Sequence, residues 1–435
     1  MTDPALPSVE AAGADLRAFV DASPTSLHAV AEMARRLRDG GFTPLDERDA
    51  WSLAPGDARY VVRDGGSLVA FRVGSAPLAE AGARLVGAHT DSPTFKVRPR
   101  HDVRRAGYRL VGVEPYGGVQ FHTWLDRELT VAGRLAVRGA DGEVADHRVV
   151  LPGGPLRLPT LAIHLDRGVR EGLVLDPQRH LVPVWGPELS TEPGLLEALA
   201  DAAGVAVGDV VGHDLVLADT QPSAATGSDG TWVAAPRLDN LSSCHAGTAA
   251  LLAASPAAHT AVLVANDHEE VGSASAEGAA GSFLADVLAR LVAATGDHDP
   301  QSYLRAVARS RLASSDVAHA VHPNHADRHE PSHAPALGGG PVLKVNANQR
   351  YASDALSSGW FAARCADAGV PLQEFVSRAD LPCGSTIGPL TATRLGIATV
   401  DVGNPVLGMH SCRELASAVD VPLMTAALTA CLSLP

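Results

Sequence analysis

Several short stretches of this chain place histidines and carboxylates where apolar runs end. They are His89 and Asp91 in GAHTDSP, Asp239 in RLDN, Glu269 and Glu270 in NDHEEVG, Asp316 in SSDVAHA and His410 in GMHSCRE. Burying an unpaired carboxylate is costly, and two adjacent ones repel. Imidazoles and carboxylates together are a natural donor set for a borderline cation such as zinc, with no cysteine needed. One carboxylate can bridge two cations, which then sit about 3.5–4 Å apart and share an activated water. If the backbone stays extended from His89 to Asp91, both lie on one face. Asp91 can then bond the far ring nitrogen of His89 and orient it. Glu269 and Glu270 would face opposite ways in a strand, so both can serve one site only from a turn. One glutamate would then hold metal and the other would stay free as a base.

Positioning such groups requires strands that end together. The runs RYVVRD, SLVAFRVG, ARLVGAHTDSP, TAVLVANDHEEVGS, LKVNANQRYAS and IATVDVGNP read as strands. The most apolar of them suit a covered, largely parallel sheet with chemistry at its carboxyl end. SVEAAGADLRAFVDA, SPTSLHAVAEMARRLRDGG, RLDNLSSCHAGTAALLAA, SFLADVLARLVAAT and DVPLMTAALTACLS read as helices. Between them, from about residue 93, the texture changes. LTVAGRLAVRGADGEVADHRVVL alternates with period two around an Asp141-Gly142 hairpin signal. The turn-rich ATGSDGTW closes this part. The expectation is an α/β fold: a mixed, largely parallel sheet covered by helices, interrupted by a β-rich insertion. Residues 1–92 and 233–435 would form the first module and residues 93–232 the insert.

Composition narrows the function. A formal charge of −14 without a basic block argues against nucleic acid or an anionic membrane as partner. No apolar run reaches a bilayer-spanning length, and MTDPALPSVEAAGADL has no basic and apolar leader pattern. The 5 cysteines are scattered and odd in number, which points to a reducing cytoplasm rather than a disulfide framework.

GAHTDSP, RLDN, NDHEEVGS, SSDVAHAVHPN, LKVNANQRYAS, CGSTIGP and MHSCRE occur in this order, with SPTSLHAVAE, VGVEPYGG, HTWLDRELTVAGR and LRLPTLAIHL before or between them. In this the chain resembles the M18 metallopeptidases, the aspartyl aminopeptidase family, over nearly its whole length. The resemblance implies a zinc-aminopeptidase-type fold with an inserted dimerisation domain. It implies two Zn2+ per subunit, replaceable by Co2+ or Mn2+. Asp239 would bridge them, His89 and Asp316 would complete one, and Glu270 and His410 the other. It makes Glu269 the general base and Asp91 the group that orients His89, and it implies a cis peptide between Asp239 and Asn240. It also implies that His164 in LAIH serves the neighbouring subunit's site, in dimers that assemble into a tetrahedral dodecamer. The substrates would be peptides with a free N-terminus. Lys344 matches a lysine that acidic-specific members use near the first pocket, while Asn348 stands where some members carry lysine. Removal of N-terminal Asp or Glu is therefore the expectation, with a preference for neutral or apolar residues, or a non-catalytic assembly or cargo protein on the same shell, as alternatives.

Other histidines invite a metal reading. His319 and His322 are close enough to Asp316 to support it, and His319 is a candidate substrate contact. His325, His329 and His333 are expected to be solvated or structural, and His245 to be a satisfied core histidine. GxSxG is missing from GAHTDSP, and LGGGP has no Walker lysine.

Overall fold

A computed structural model describes residues 8–434. Residues 1–7, which carry part of the leader-free expectation, and residue 435, the last of the expected first module, lie outside the described residues.

The runs that lead to the candidate ligands lie at the centre of a nine-stranded mixed sheet. Strands Thr260–Asn266, Ala83–His89, Arg311–Ser315 and Ala398–Gly403 are successive parallel neighbours. Thr260–Asn266 is buried at every position. Its side chains alternate between two cores: Val262 and Val264 pack with Phe283, Val287 and Leu291, while Leu263 and Ala265 pack with Leu241, Ala250 and Leu251. Helices thus cover both faces, and an unbroken apolar run is what such a strand requires. Each fully buried Val or Leu contributes about 1.5–3 kcal/mol. Further out the sheet is mixed. Ser67–Arg72 joins Thr260–Asn266 antiparallel, and Val342–Val345 joins Ala398–Gly403 antiparallel. The common direction of the central strands brings His89, the turn after Asn266, and Asp316 to one end of the sheet.

Six strands form a second, antiparallel sheet, in the order Val144–Val150, Leu129–Arg138, Val210–Asp219, Thr94–Arg105, Tyr108–Tyr116 and Val184–Pro187. All six fall between residues 93 and 232. They enclose a separate core that includes Phe95, Trp124, Leu135 and Leu215, covered by Leu195 and Leu199 of helix Leu195–Ala203. The Asp141-Gly142 turn joins its first two strands, with Gly142 at φ +86. The turn-rich seam is stitched to the C-terminal part, because Ala224–Thr226, Trp232–Ala235 and Glu414–Ser417 form a small sheet. No described helix is long and apolar enough to cross a membrane.

Candidate active site

Asp239 lies at the start of helix Leu238–Ala253, where it and Asn240 depart from helical geometry and the peptide between them is cis. Two bonds tie this start to strand ends. Ser92 Oγ donates to the Asp239 carbonyl at 2.6 Å, and Asn240 Nδ2 donates to the Ser315 carbonyl at 2.9 Å. The Asp239 carboxylate faces two ways. Oδ1 is 3.2 Å from His89 Nε2, and Oδ2 is 3.4 Å from His410 Nε2. His89 Nε2 is also 3.5 Å from Asp316 Oδ1, and His410 Nε2 is 3.5 Å from Glu270 Oε2. Two donor groups result, His89–Asp239–Asp316 and Asp239–Glu270–His410, each with its donor atoms within 4.8 Å of one another and sharing Asp239. His89, Glu269 and Glu270 form a third such group.

A surrounding layer aims these atoms. His89 Nδ1 lies 3.1 Å from the Asp91 carbonyl oxygen and 3.4 Å from Asp91 Oδ1, which leaves Nε2 pointing to the donor groups. Glu269 and Glu270 sit on a single 3-10 turn, Glu269–Val271, entered through His268 at φ 63. The backbone N–H groups of both glutamates donate to Asp91, to Oδ1 and Oδ2 respectively, each at 3.1 Å. Tyr116 Oη donates to Asp91 Oδ2 at 2.7 Å. Glu414 accepts from two residues of the donor groups, Asp239 N at 2.9 Å and His410 N at 2.8 Å. Reasoning from sequence missed Tyr116 and Glu414. Both lie inside the stretches VGVEPYGG and MHSCRE, but only the fold reveals what they touch.

The electrostatics suit a cation. Burial pushes Glu269 up to about 7; His89 opposes this, and Asp316, Asp91 and Asp239 add to it. Burial, then the Asp239 charge, holds Glu270 well above its ordinary value. Burial would also raise Asp239, but the His410 and His89 rings outweigh it and its pKa lies below the ordinary value. Asp239 Oδ1 and Glu270 Oε1 are buried and accept no hydrogen bond. Orphaned carboxylate oxygens beside two imidazoles, with no thiolate, match the donor chemistry of zinc.

The remaining candidates fall elsewhere. Lys344 is 1% exposed, so it is not a snorkelling surface lysine. Its Nζ donates to the Val317 carbonyl at 3.2 Å and lies 3.5 Å from Asp316 Oδ2. His319 is exposed at the end of a short strand, with its ring edge-on to Phe375. His164 is exposed on the insert and belongs to none of the donor groups. In the histidine-rich loop, His329 Nε2 accepts from His322 N at 3.1 Å, His333 pairs with Glu330 at 2.6 Å, and His325 is exposed. His245 is buried and bonded to Asp15 at 2.7 Å. A cavity of about 250 Å³ lies at the seam with the insert, behind Asp91, Asp239 and Glu414, and neither histidine of the donor groups lines it.

Comparison with known proteins gives a consistent picture. Residues 19–431 match the family described as "Aminopeptidase I zinc metalloprotease (M18)". "Probable M18 family aminopeptidase 2" of Streptomyces coelicolor is 50% identical over 422 residues, which cover 96% of each chain. Among solved structures, the cryo-EM complex of Ape4 and Nbr1 aligns with TM-score 0.93 at 35% identity, covering 98% of this chain and 87% of that one. The S. cerevisiae mApe1 dodecamer aligns with TM-score 0.84 at 27% identity, covering 96% and 95%.

Proposed function

We propose, for a chain that belongs to the M18 family of zinc metallo-aminopeptidases, that it removes one N-terminal residue from peptides at a two-zinc centre. The observation that carries this is the double-facing carboxylate of Asp239, with one oxygen toward His89 and the other toward His410. His89, Asp239 and Asp316 would hold one ion, and Asp239, Glu270 and His410 the other. Zinc bound there supplies Lewis acidity and lowers the pKa of a bound water. Co2+ or Mn2+ fits the same donors.

Glu269 is the base. It takes a proton from the attacking water and returns it to the leaving amine. The surrounding carboxylates receive the substrate's α-ammonium, which selects an unblocked N-terminus. His164 of the partner subunit donates to the developing oxyanion from an assembly of dimers. The mApe1 dodecamer supports a dodecameric assembly; its dimers would be arranged tetrahedrally, with residues 93–232 as the dimerisation module. His164 lies on that module, within an exposed stretch that includes Leu161 and Leu165, 63% and 75% exposed. All 5 cysteines are free, which supports a cytoplasmic setting.

Lys344 would pair with the side-chain carboxylate of an N-terminal Asp or Glu, with His319 as a further substrate contact. A preference for neutral or apolar residues is favoured by one observation, the contacts of Lys344 with Asp316 and the Val317 carbonyl. Turnover of Asp-, Glu- and Leu-amide substrates by zinc-loaded protein separates the two. Peptides with acetylated N-termini should be left intact. Their hydrolysis would remove the aminopeptidase assignment, and no turnover at any metal loading would leave a non-catalytic assembly protein.

A further inference from the structure

At the end of strand Tyr108–Tyr116 the chain leaves the inserted sheet and runs along the candidate centre of the same subunit. Four of its polar contacts there land on Asp91 or on the loop that carries His410. Tyr116 Oη donates to Asp91 Oδ2 at 2.7 Å. The Gly118 carbonyl is 3.2 Å from His410 Nδ1. Gln120 Nε2 donates to the Met409 carbonyl at 2.7 Å, and Gln120 N donates to the His410 carbonyl at 3.2 Å. The approach is close enough to demand glycine. A Cβ on Gly117, which has φ +69, would stand 2.9 Å from Glu270 Cβ, and one on Gly118 would stand 2.8 Å from His410 Nδ1.

We propose that Tyr116, Gly118 and Gln120 are positioning residues for the metal centre, so that the seating of the inserted module on the catalytic sheet sets the geometry of both metal positions. This rests on the two-metal reading above. The physics divides between the two metal positions. At one, the Asp91 carboxylate has to face His89 Nδ1 and accept both glutamate N–H groups at once. The Tyr116 hydroxyl secures the rotation that allows this, and without it the two glutamate N–H groups and His89 hold the carboxylate less firmly. At the other, the Gly118 carbonyl accepts a hydrogen bond from His410 Nδ1–H, which keeps the proton there and leaves the Nε2 lone pair for metal. Gln120 holds the loop that carries His410.

The test uses zinc- and cobalt-loaded full-length protein with Tyr116→Phe, which removes only a hydroxyl, and Gly118→Ala, which presses on His410. Metal dissociation constants come from competition with a chromophoric chelator, and ligand geometry from the Co2+ absorption spectrum. Metal-free Tm, kcat and KM complete the set. For Tyr116→Phe we expect a metal-free Tm near wild type, metal binding weakened about 10- to 100-fold, and a fall in kcat with little change in KM. For Gly118→Ala we expect one of two metal equivalents to weaken and the cobalt spectrum to change. Wild-type dissociation constants and spectra in both variants overturn the proposal, as does a lowered Tm with unchanged metal binding. If Gly118→Ala does not fold, Tyr116→Phe still decides. Wild-type protein that binds no pair of metals defeats the two-metal reading itself, a distinct result.

Discussion

Glu269 and Glu270 are adjacent in sequence yet have different surroundings. Glu270 Oε2 faces His410, whereas Glu269 is absent from both donor groups that contain Asp239. A base that does not hold metal should be removable without loss of the ions. Glu269→Gln should lower kcat about a hundred- to ten-thousand-fold, with two zinc equivalents still found by atomic absorption. Substantial residual turnover would mean another group takes the proton. Glu414 makes a different prediction. Its carboxylate accepts the N–H groups of Asp239 and His410 in a site where it is 2% exposed. Glu414→Ala leaves both donors unmet, so unfolding free energy should fall by about 1–3 kcal/mol per orphaned group, as read from urea midpoints. Unchanged midpoints would show that water replaces the carboxylate freely.

At the scale of elements, helix Ser26–Asp39 begins with the Thr25 cap and touches strand Leu129–Arg138 of the second sheet. His28, in its first turn, is held down to about 4 by burial first, then by the nearby positive charges of Arg148 and Arg237. Its ordinary value is 6.5. The unfolded chain therefore takes up a proton in this window while the folded chain does not. The neutral ring's contribution is complete above pH 6.5 and is lost as pH falls toward 4. The gap corresponds to at most about 3 kcal/mol. Urea midpoints at pH 7 and pH 5 should drop less in His28→Gln than in wild type, and equal drops would show that His28 does not titrate there. The central strand supplies a plainer case. Leu263 is 0% exposed and packs on the helix Leu238–Ala253 side of the sheet, so Leu263→Ala should cost about 2–5 kcal/mol.

For the whole molecule, the decisive question is whether an active site draws on two chains. His164 is exposed on the insert, apart from its own chain's donor groups. If it serves a partner's site, Glu269→Gln and His164→Ala chains should complement each other when co-expressed. A mixed dimer holds one site with both an intact base and an intact histidine. Half of randomly formed dimers are mixed, so about a quarter of wild-type turnover should return in a two-fold symmetric assembly. Activity no greater than the sum of the separate variants would confine His164 to packing within the insert. Metal removal belongs to the same scale. Chelation should abolish turnover and lower Tm, and zinc at a hundredfold excess over its dissociation constant should restore about 2.7 kcal/mol for each ion bound.

Much of this was legible in the chain itself. Unbroken apolar runs such as Thr260–Asn266 mark strands covered on both faces, and the period-two texture around Asp141-Gly142 marks an antiparallel module, because side-chain periodicity follows directly from which faces meet water. The residue types of His89, Asp91, Asp239, Glu269, Glu270, Asp316 and His410 nominated a zinc-compatible pool of donors, since ligand chemistry is a property of residue type, and the resemblance to the M18 family divided that pool into ligands, base and orienting group. Tertiary structure alone decided which atoms meet. That Asp239 turns one oxygen to each histidine depends on the junction of a helix start with two strand ends. That Tyr116 of the insert supports Asp91 depends on how one sheet rests on another. Lys344 was expected at a pocket and is found buried against Asp316, a contact brought about by the register of Val342–Val345 against its neighbour strand. Contacts between residues tens to hundreds of positions apart leave no periodic trace, because they are set by packing between elements and not by the local backbone.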